Sequence, residues 1–303
     1  MKVLIIGGSG LLGSNLSFYL SNKFDVLSTY NKHKFETKKF KFTKLNIENY
    51  TEIKNLVKDY KPNYIIHTAA VSRPEIAEKM SDDELSKINI QPCEYLSDLS
   101  NKINARLFFT STDLVYEQSD DEIYEHSKLN PLSKYAKSKL EGENVISSIS
   151  KNYVILRVAL LLGFSYSEQI TSNFHKNYIS FKNNEKANLF IDQIRTPLSV
   201  LEASRILETL FKSDLQNDVI NFCGKDFVTR YEIGEILCRV MKKRKDMLNP
   251  IELAKIDAEN KIYKLKLNSD KLNLIFKNRL DIEKSIQELV KDYEENYNIY
   301  INR

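Results

Sequence analysis

A chain of 303 residues is long enough for one large α/β domain, or for such a domain carrying a smaller lobe. Its 42% hydrophobic and 28% charged residues are ordinary for a water-soluble globular protein, and a net charge of +4, from 45 basic and 41 acidic residues, is too balanced to argue for a nucleic-acid partner. Cys93, Cys223 and Cys238 show no disulfide or metal spacing, which points to a reduced, cytoplasmic setting and no metal; no apolar run is long enough to span a membrane, the longest, Tyr153 to Phe164, being broken by Arg157.

Short apolar runs alternate with helical stretches through the first half. The pattern predicts strands at Val3–Ile6, Val26–Thr29, Lys41–Leu45, Tyr64–His67, Leu107–Thr110 and Val154–Val158. Between them it predicts helices at Leu11–Asn22, Tyr50–Tyr60, Asp83–Lys102 and Ser133–Ser150. Strands this apolar, alternating with helices, imply a parallel sheet covered on both faces, hence a doubly wound α/β fold of the dinucleotide-binding Rossmann type.

The second half is less regular. Residues 163–187 are polar and aromatic with weak periodicity. Then follow a helix at Val200–Lys212, a buried strand at Val219–Phe222, a helix opened by a Thr229/Glu232 capping box and running to Met241, and an amphipathic helix at Ile282–Tyr293. Residues 1–162, rejoined by 196–222, are expected to form the dinucleotide-binding domain. Residues 163–195 and 223–303 are expected to form a smaller C-terminal substrate-binding lobe.

Gly7, Gly10 and Gly13 follow the first predicted strand and open the first predicted helix. Gly7 permits the tight turn, Gly10 lets backbone approach a pyrophosphate, and Gly13 lets helix pack on strand. The helix start at Leu11 and Leu12 offers free N–H groups and the positive dipole end to the phosphates. The alternative is a tight strand–helix turn that holds no ligand.

After the second strand the chain reads Ser28-Thr-Tyr-Asn31-Lys32-His33-Lys34, with no acid before Glu36. An NAD site usually places an acid there for the ribose 2′-hydroxyl. Asn31, Lys32 and Lys34 suit a 2′-phosphate instead, so NADP(H) is favoured over NAD(H). The alternative is that the two lysines are exposed loop residues.

A Tyr followed four residues later by Lys occurs six times, starting at Tyr19, Tyr30, Tyr50, Tyr124, Tyr135 and Tyr178. Only Tyr135 opens a long helix shortly after a strand that ends in Ser111, Thr112 and Asp113. Ligands of open α/β sheets bind outside those strand ends. Tyr135 and Lys139 lie one helical turn apart on one face. The ammonium is expected to lower the phenol's pKa, Tyr135 to protonate a carbonyl oxygen as hydride reaches its carbon, and Thr112 to hydrogen-bond that oxygen. Lys139 would also hold the nicotinamide ribose. The alternative is a surface Tyr and Lys at helical spacing.

Together the stretches Gly7–Gly13, His67-Thr-Ala-Ala70, Ser111-Thr-Asp-Leu-Val-Tyr116 and Pro131–Glu143 resemble the extended short-chain dehydrogenase/reductase family, and within it the dTDP-4-dehydrorhamnose reductase group. Arg157 and Arg195-Thr-Pro197 also fit. The resemblance implies NADPH-dependent reduction of a nucleotide-linked 4-keto-6-deoxy sugar by a homodimer. The family's catalytic trio falls on Thr112, Tyr135 and Lys139, and its cofactor glycines on Gly7, Gly10 and Gly13. Ala69 and Ala70 match the small residues beside the nicotinamide, Asn46 sits where relatives often have an acid at the adenine, and Asp113 and Arg195 fall among substrate contacts.

Glu117-Gln118 stands where a glycine is common, and Ala159-Leu-Leu-Leu162 replaces an aromatic. Ser72-Arg73-Pro74-Glu75 instead resembles the regulatory beta subunit of methionine adenosyltransferase, leaving Arg73 either to bind a substrate phosphate or to pair with a helix acid. Three functions therefore compete: a sugar-nucleotide reductase, an NADP-binding regulatory subunit without its own turnover, and an epimerase or dehydratase of the same family.

Overall fold

Seven parallel strands form the centre of the computed structural model, which describes residues 1–167, 172–256 and 260–300. They are β1 (Lys2–Ile6), β2 (Asp25–Tyr30), β3 (Lys41–Lys44), β4 (Tyr64–His67), β5 (Arg106–Thr112), β6 (Tyr153–Val158) and β7 (Asp218–Phe222). Their order across the sheet is β7-β6-β5-β4-β1-β2-β3. The order reverses between β1 and β4, and a ligand crevice opens at the carboxyl ends of the strands there.

Alternation along each strand sends side chains to both faces. Val3 and Ile5 join Phe108 and Leu156 on the side of α1 (Leu11–Leu20). Leu4 and Ile6 join Leu107 and Phe109 on the side of α2 (Tyr50–Tyr60). Fully burying each such aliphatic or aromatic side chain contributes about 1.5–3 kcal/mol, which makes these two layers the main source of cohesion.

One predicted helix is two. The chain forms α3 (Asp82–Asn89) and then α4 (Gln91–Ile103), because Pro92 in the first turn of α4 has no N–H to continue the ladder of α3. β5 runs two residues beyond its predicted end, to Thr112, and carries the hydroxyls of Ser111 and Thr112 into the crevice region. The next helix, α5 (Lys134–Ile149), is capped by Ser133, whose side chain accepts from Ala136 N.

The weakly patterned segment contains a helix absent from the predicted elements, α6 (Asn173–Lys182), capped by Ser172 and burying the short stripe Phe174, Tyr178 and Phe181. α7 (Val200–Phe211) packs with α1 on the sheet. α8 (Arg230–Val240) begins with the expected capping box of Thr229 and Glu232. α9 (Ile282–Tyr300) packs on α8 and α6 around Phe164, Phe181, Leu237 and Ile286. Phe164 stacks on Tyr293 with ring centroids 3.9 Å apart. Among the described residues no helix is long and apolar enough to cross a membrane.

Candidate active site

The glycine loop is shaped by close approaches that side chains would obstruct. Gly7 has φ +96°, and a Cβ there would lie 2.6 Å from Ala69 N. A Cβ on Gly13 would lie 2.3 Å from Gly7 O, and one on Gly8 would lie 1.6 Å from Ser28 Oγ. Spacing does not single out Gly8; its neighbour Ser28 explains it. Gly10 differs, because a Cβ would meet only Gly7 O, at 3.3 Å. Space therefore opens beside Gly10 and the first turn of α1, whose N-terminus has no side-chain cap. Backbone donors left in that state suit the pyrophosphate of a dinucleotide, with Leu11 and Leu12 in the turn that would hold it.

A prediction separates these glycines. Gly10→Ala is expected to retain the fold and to weaken binding of a nicotinamide dinucleotide by about tenfold or more, because the methyl intrudes where backbone would approach phosphate. Gly13→Ala destabilises the protein by about 1–3 kcal/mol, through overpacking. Calorimetric binding and denaturant melts of both variants check the distinction.

At the β2 end, Asn31, Lys32 and Lys34 are exposed, and Lys34 pairs with Glu36 at 2.9 Å. Gly7 N donates to Thr29 Oγ1 and Gly8 N to Thr29 O, so the glycine loop and the end of β2 are joined. Asn46 is exposed and its side chain accepts from Glu48 N. Ala69 and Ala70 follow β4, with Ala69 against the glycine loop.

Tyr135 is 9% exposed and packs against Ala77 and Leu85, with Val71 and Leu114 at the edge. Burial pushes its pKa up to about 12; a hydrogen bond with the Thr112 side chain acts the other way, and the Asp113 charge raises it further. The expected lowering by Lys139 is not what governs this phenol. Desolvation and the nearer Thr112 and Asp113 do, and the group remains a protonated acid at neutral pH.

Lys139 is 2% exposed, and its Nζ sits 4.0 Å from the Phe109 ring centroid. Among the described residues it pairs with no carboxylate; burial pulls its pKa down to about 8, while Cys93 and Glu143 act in the opposite direction. An ammonium held in this way favours added hydrogen-bond acceptors, such as ribose hydroxyls.

His67, at the end of β4, is buried to 1% beside the same Phe109, and neither ring nitrogen has a partner among the described residues. Burial, with the Lys139 charge second, pulls its pKa down to about 3. The unfolded chain takes up this proton below pH ~6.5, whereas the folded chain resists until far lower pH. Stability is therefore complete above pH ~6.5 and falls on acidification, by about 3 kcal/mol from this group by pH 4. Urea melts at several pH values check this, with His67→Leu expected to flatten the response.

Ser111 and Thr112 point to opposite sides of β5. Ser111 Oγ donates to Glu143, which lies one turn beyond Lys139. Glu143 holds Arg157 through Nη2 at 2.8 Å and Nε at 3.1 Å, with both residues at most 5% exposed. Arg157 Nη1 donates to Tyr116 Oη at 2.9 Å, and Tyr116 donates to Asn221 Oδ1 at 2.7 Å. This chain of bonds fixes α5 against β5, β6 and β7. Neither Glu143 nor Asn221 is among the site residues expected from the sequence, although Glu143 continues the 135–139 stripe by four residues.

Asp113 accepts from Arg195 in a buried ion pair, and Thr112 Oγ1 lies 3.4 Å from Asp113 Oδ1. Arg73 is exposed and, among the described residues, makes no ion pair with Glu75 or Glu78, so the expected alternative of pairing with a helix acid is not seen. A cavity of about 460 Å³ opens between Leu114, Leu132, Ser133, Pro74 and Ile262, next to Asp113 and Tyr135 in the chain. Gln118, at the departure from the usual glycine, clamps the segment that carries Ile262: Nε2 donates to Lys261 O and Oε1 accepts from Tyr263 N.

The chain is 29% identical over 280 residues to methionine adenosyltransferase 2 subunit beta of Xenopus laevis, covering 89% of this chain and 81% of the relative. It is 25% identical over 242 residues to dTDP-4-dehydrorhamnose reductase of Aggregatibacter actinomycetemcomitans, covering 77% and 76%. The fold matches dTDP-4-dehydrorhamnose reductase of Bacillus anthracis, solved in complex with NADP, with a TM-score of 0.82 at 23% identity over 96% of this chain and 99% of that one. The family description "RmlD substrate binding domain" matches residues 1–295, so the chain belongs to the RmlD family of extended short-chain dehydrogenase/reductase proteins.

Proposed function

We propose that the protein is an NADPH-dependent reductase of a nucleotide-linked 4-keto-6-deoxy sugar. The observation that carries this reading is the placing of Tyr135, buried and protonated, beside Thr112 at the open end of β5, with Lys139 one turn away and paired with no carboxylate among the described residues. In this reading residues 1–162 with 196–222 hold the coenzyme, and 163–195 with 223–303 hold the sugar nucleotide. Gly7, Gly10, Leu11, Leu12, Gly13, Ala69 and Ala70 would line the dinucleotide; Asn31, Lys32, Lys34 and Asn46 would surround its adenosine end. The exposed lysines there favour NADP(H) over NAD(H).

A nicotinamide held there would supply the hydride. Thr112 hydrogen-bonds the substrate carbonyl and fixes its oxygen toward Tyr135. The Tyr135 phenol donates its proton to that oxygen as the carbon is reduced. Because burial holds the phenol protonated, it is loaded for this step at neutral pH. Lys139 would orient the coenzyme ribose, and the Thr112 hydroxyl is the group that favours the phenolate left behind. Asp113 and Arg195 border the substrate, with Arg73 at the rim.

Loss of NADPH absorbance across a panel of nucleotide keto-sugars, with dTDP-4-dehydrorhamnose first, tests the proposal. Turnover of at least one supports it, and none across the panel removes it. The match to a methionine adenosyltransferase beta subunit over 89% of the chain favours a second reading, an NADP-binding regulatory subunit. Co-purification with a catalytic subunit, without keto-sugar turnover, is the result that reading requires.

A further inference from the structure

The loop between β2 and β3, residues 31–40, contains neither helix nor strand, and polar connections of this kind are ordinarily mobile. Among the described residues its hydrogen bonds and ion pairs are internal. Lys39 N donates to Thr37 Oγ1 at 3.1 Å, and Lys34 pairs with Glu36. None ties the loop to the sheet or to a helix.

A ring fastens it instead. Among the described residues 31–40 only Phe35 is buried, 8% exposed, while Asn31, Lys32, His33, Lys34 and Glu36 around it are exposed. Its ring centroid lies 5.8 Å from that of Phe18 on α1, in a stacked arrangement. Phe42 of β3 is 5.0 Å away, and Tyr166, from the stretch after β6, is 6.4 Å away. Phe18 and Tyr166 meet edge to face at 4.6 Å, and Phe40 ends the loop on the same cluster, 5.1 Å from Phe18. At these separations aromatic rings attract beyond simple burial. Phe35 directly follows Lys34 and comes three residues after Lys32. A ring fixed in this slot therefore fixes the backbone from which both lysines rise.

We infer that Phe35 is a positioning residue for coenzyme choice. Its ring holds the 31–34 segment in place before a coenzyme arrives, so that Lys32 and Lys34 meet a ribose 2′-phosphate without a further ordering cost. This deepens the NADP(H) reading and rests on it. A 2′-hydroxyl makes no use of the two ammonium groups, so the anchor counts for NADP and not for NAD. Phe18 lies on α1, the helix whose first turn would hold the pyrophosphate, so the lysines are set relative to that cradle.

The test is calorimetric binding of NADP and NAD, with tryptic digestion of the coenzyme-free protein, on the full chain and its Phe35→Ser and Phe35→Leu variants. The parent is expected to bind NADP about 10-fold or more tighter than NAD. Phe35→Ser is expected to weaken NADP about 10-fold and to leave NAD within about twofold, because ordering the lysines then falls on the binding step. Trypsin, which cuts after lysine, is expected to cleave residues 32–39 of Phe35→Ser about 10-fold faster than those of the parent. Phe35→Leu refills the slot and is expected to restore most of both properties. An NADP preference unmoved by Phe35→Ser, or equal weakening of both coenzymes, overturns the inference. So does a free parent cut there as fast as a synthetic 31–40 peptide, a result that needs no folded variant. A parent that favours NAD, or binds the two alike, removes the NADP(H) reading and this inference together. A parent that favours NADP, with the preference kept in Phe35→Ser, removes the inference alone.

Discussion

Replacing Tyr135 with phenylalanine is expected to lower keto-sugar reduction by at least ~100-fold, the low end for losing a positioned acid. The substitution removes one oxygen and leaves the ring that packs on Ala77 and Leu85. Coenzyme affinity and the melting temperature should therefore hardly change. The reason for so large an effect is the environment of the phenol. Burial and the Asp113 charge keep the proton on Tyr135, with the Thr112 side chain acting the other way. Water has little access to a side chain only 9% exposed and cannot readily replace the lost donor. Steady-state rates with saturating NADPH check this. A Tyr135→Phe protein turning over at the parental rate would mean that the tyrosine only packs.

The second large effect concerns stability. Glu143→Gln is expected to destabilise the protein by about 3–5 kcal/mol, because it leaves the Arg157 guanidinium buried without its counter-charge. Both members of the pair are at most 5% exposed, so solvent cannot take over. Such a loss is a large part of the stability of an ordinary domain. Breaking the pair also releases Ser111 and the Tyr116–Asn221 link, and with them the seating of α5 on β5. Glu143→Leu combined with Arg157→Met should recover much of the loss, since two apolar groups leave no charge stranded. Urea denaturation of the parent and both variants measures the two effects.

Much of the fold is legible in the sequence because a doubly wound sheet writes itself locally. Runs such as Val3–Ile6 and Val154–Val158 are buried almost throughout, as strands covered on both faces are. The Thr229/Glu232 capping box announces α8 in the same local way. Reading fails where distant partners decide. α6 carries Phe174, Tyr178 and Phe181 at i, i+4, i+7 spacing, a stripe too short to stand out in a polar, aromatic segment, and what it packs on, Phe164 and Tyr293, lies outside the helix. The break between α3 and α4 is marked by Pro92, but the helical pattern on either side of it masks the signal.

The candidate site divides along the same line. Gly7, Gly10, Gly13, Tyr135 and Lys139 carry spacing signals, and the structure sets them around the carboxyl end of the sheet. Gln118 and Phe35 carry none. Gln118 meets the site only through the segment around Lys261, and Phe35 only through Phe18, Phe42 and Tyr166. The tuning of Tyr135 is also hidden from the sequence, which displays the lysine one turn away but not the burial that outweighs it.

The most direct measurement of the central claim is isotopic. NADPH deuterated at the nicotinamide C4 would be incubated with the protein and dTDP-4-dehydrorhamnose or another nucleotide keto-sugar that it accepts, and the product sugar examined by NMR. The account predicts deuterium on the former carbonyl carbon, with its appearance abolished by Tyr135→Phe. A coenzyme that binds but transfers no deuterium to any such sugar would contradict it.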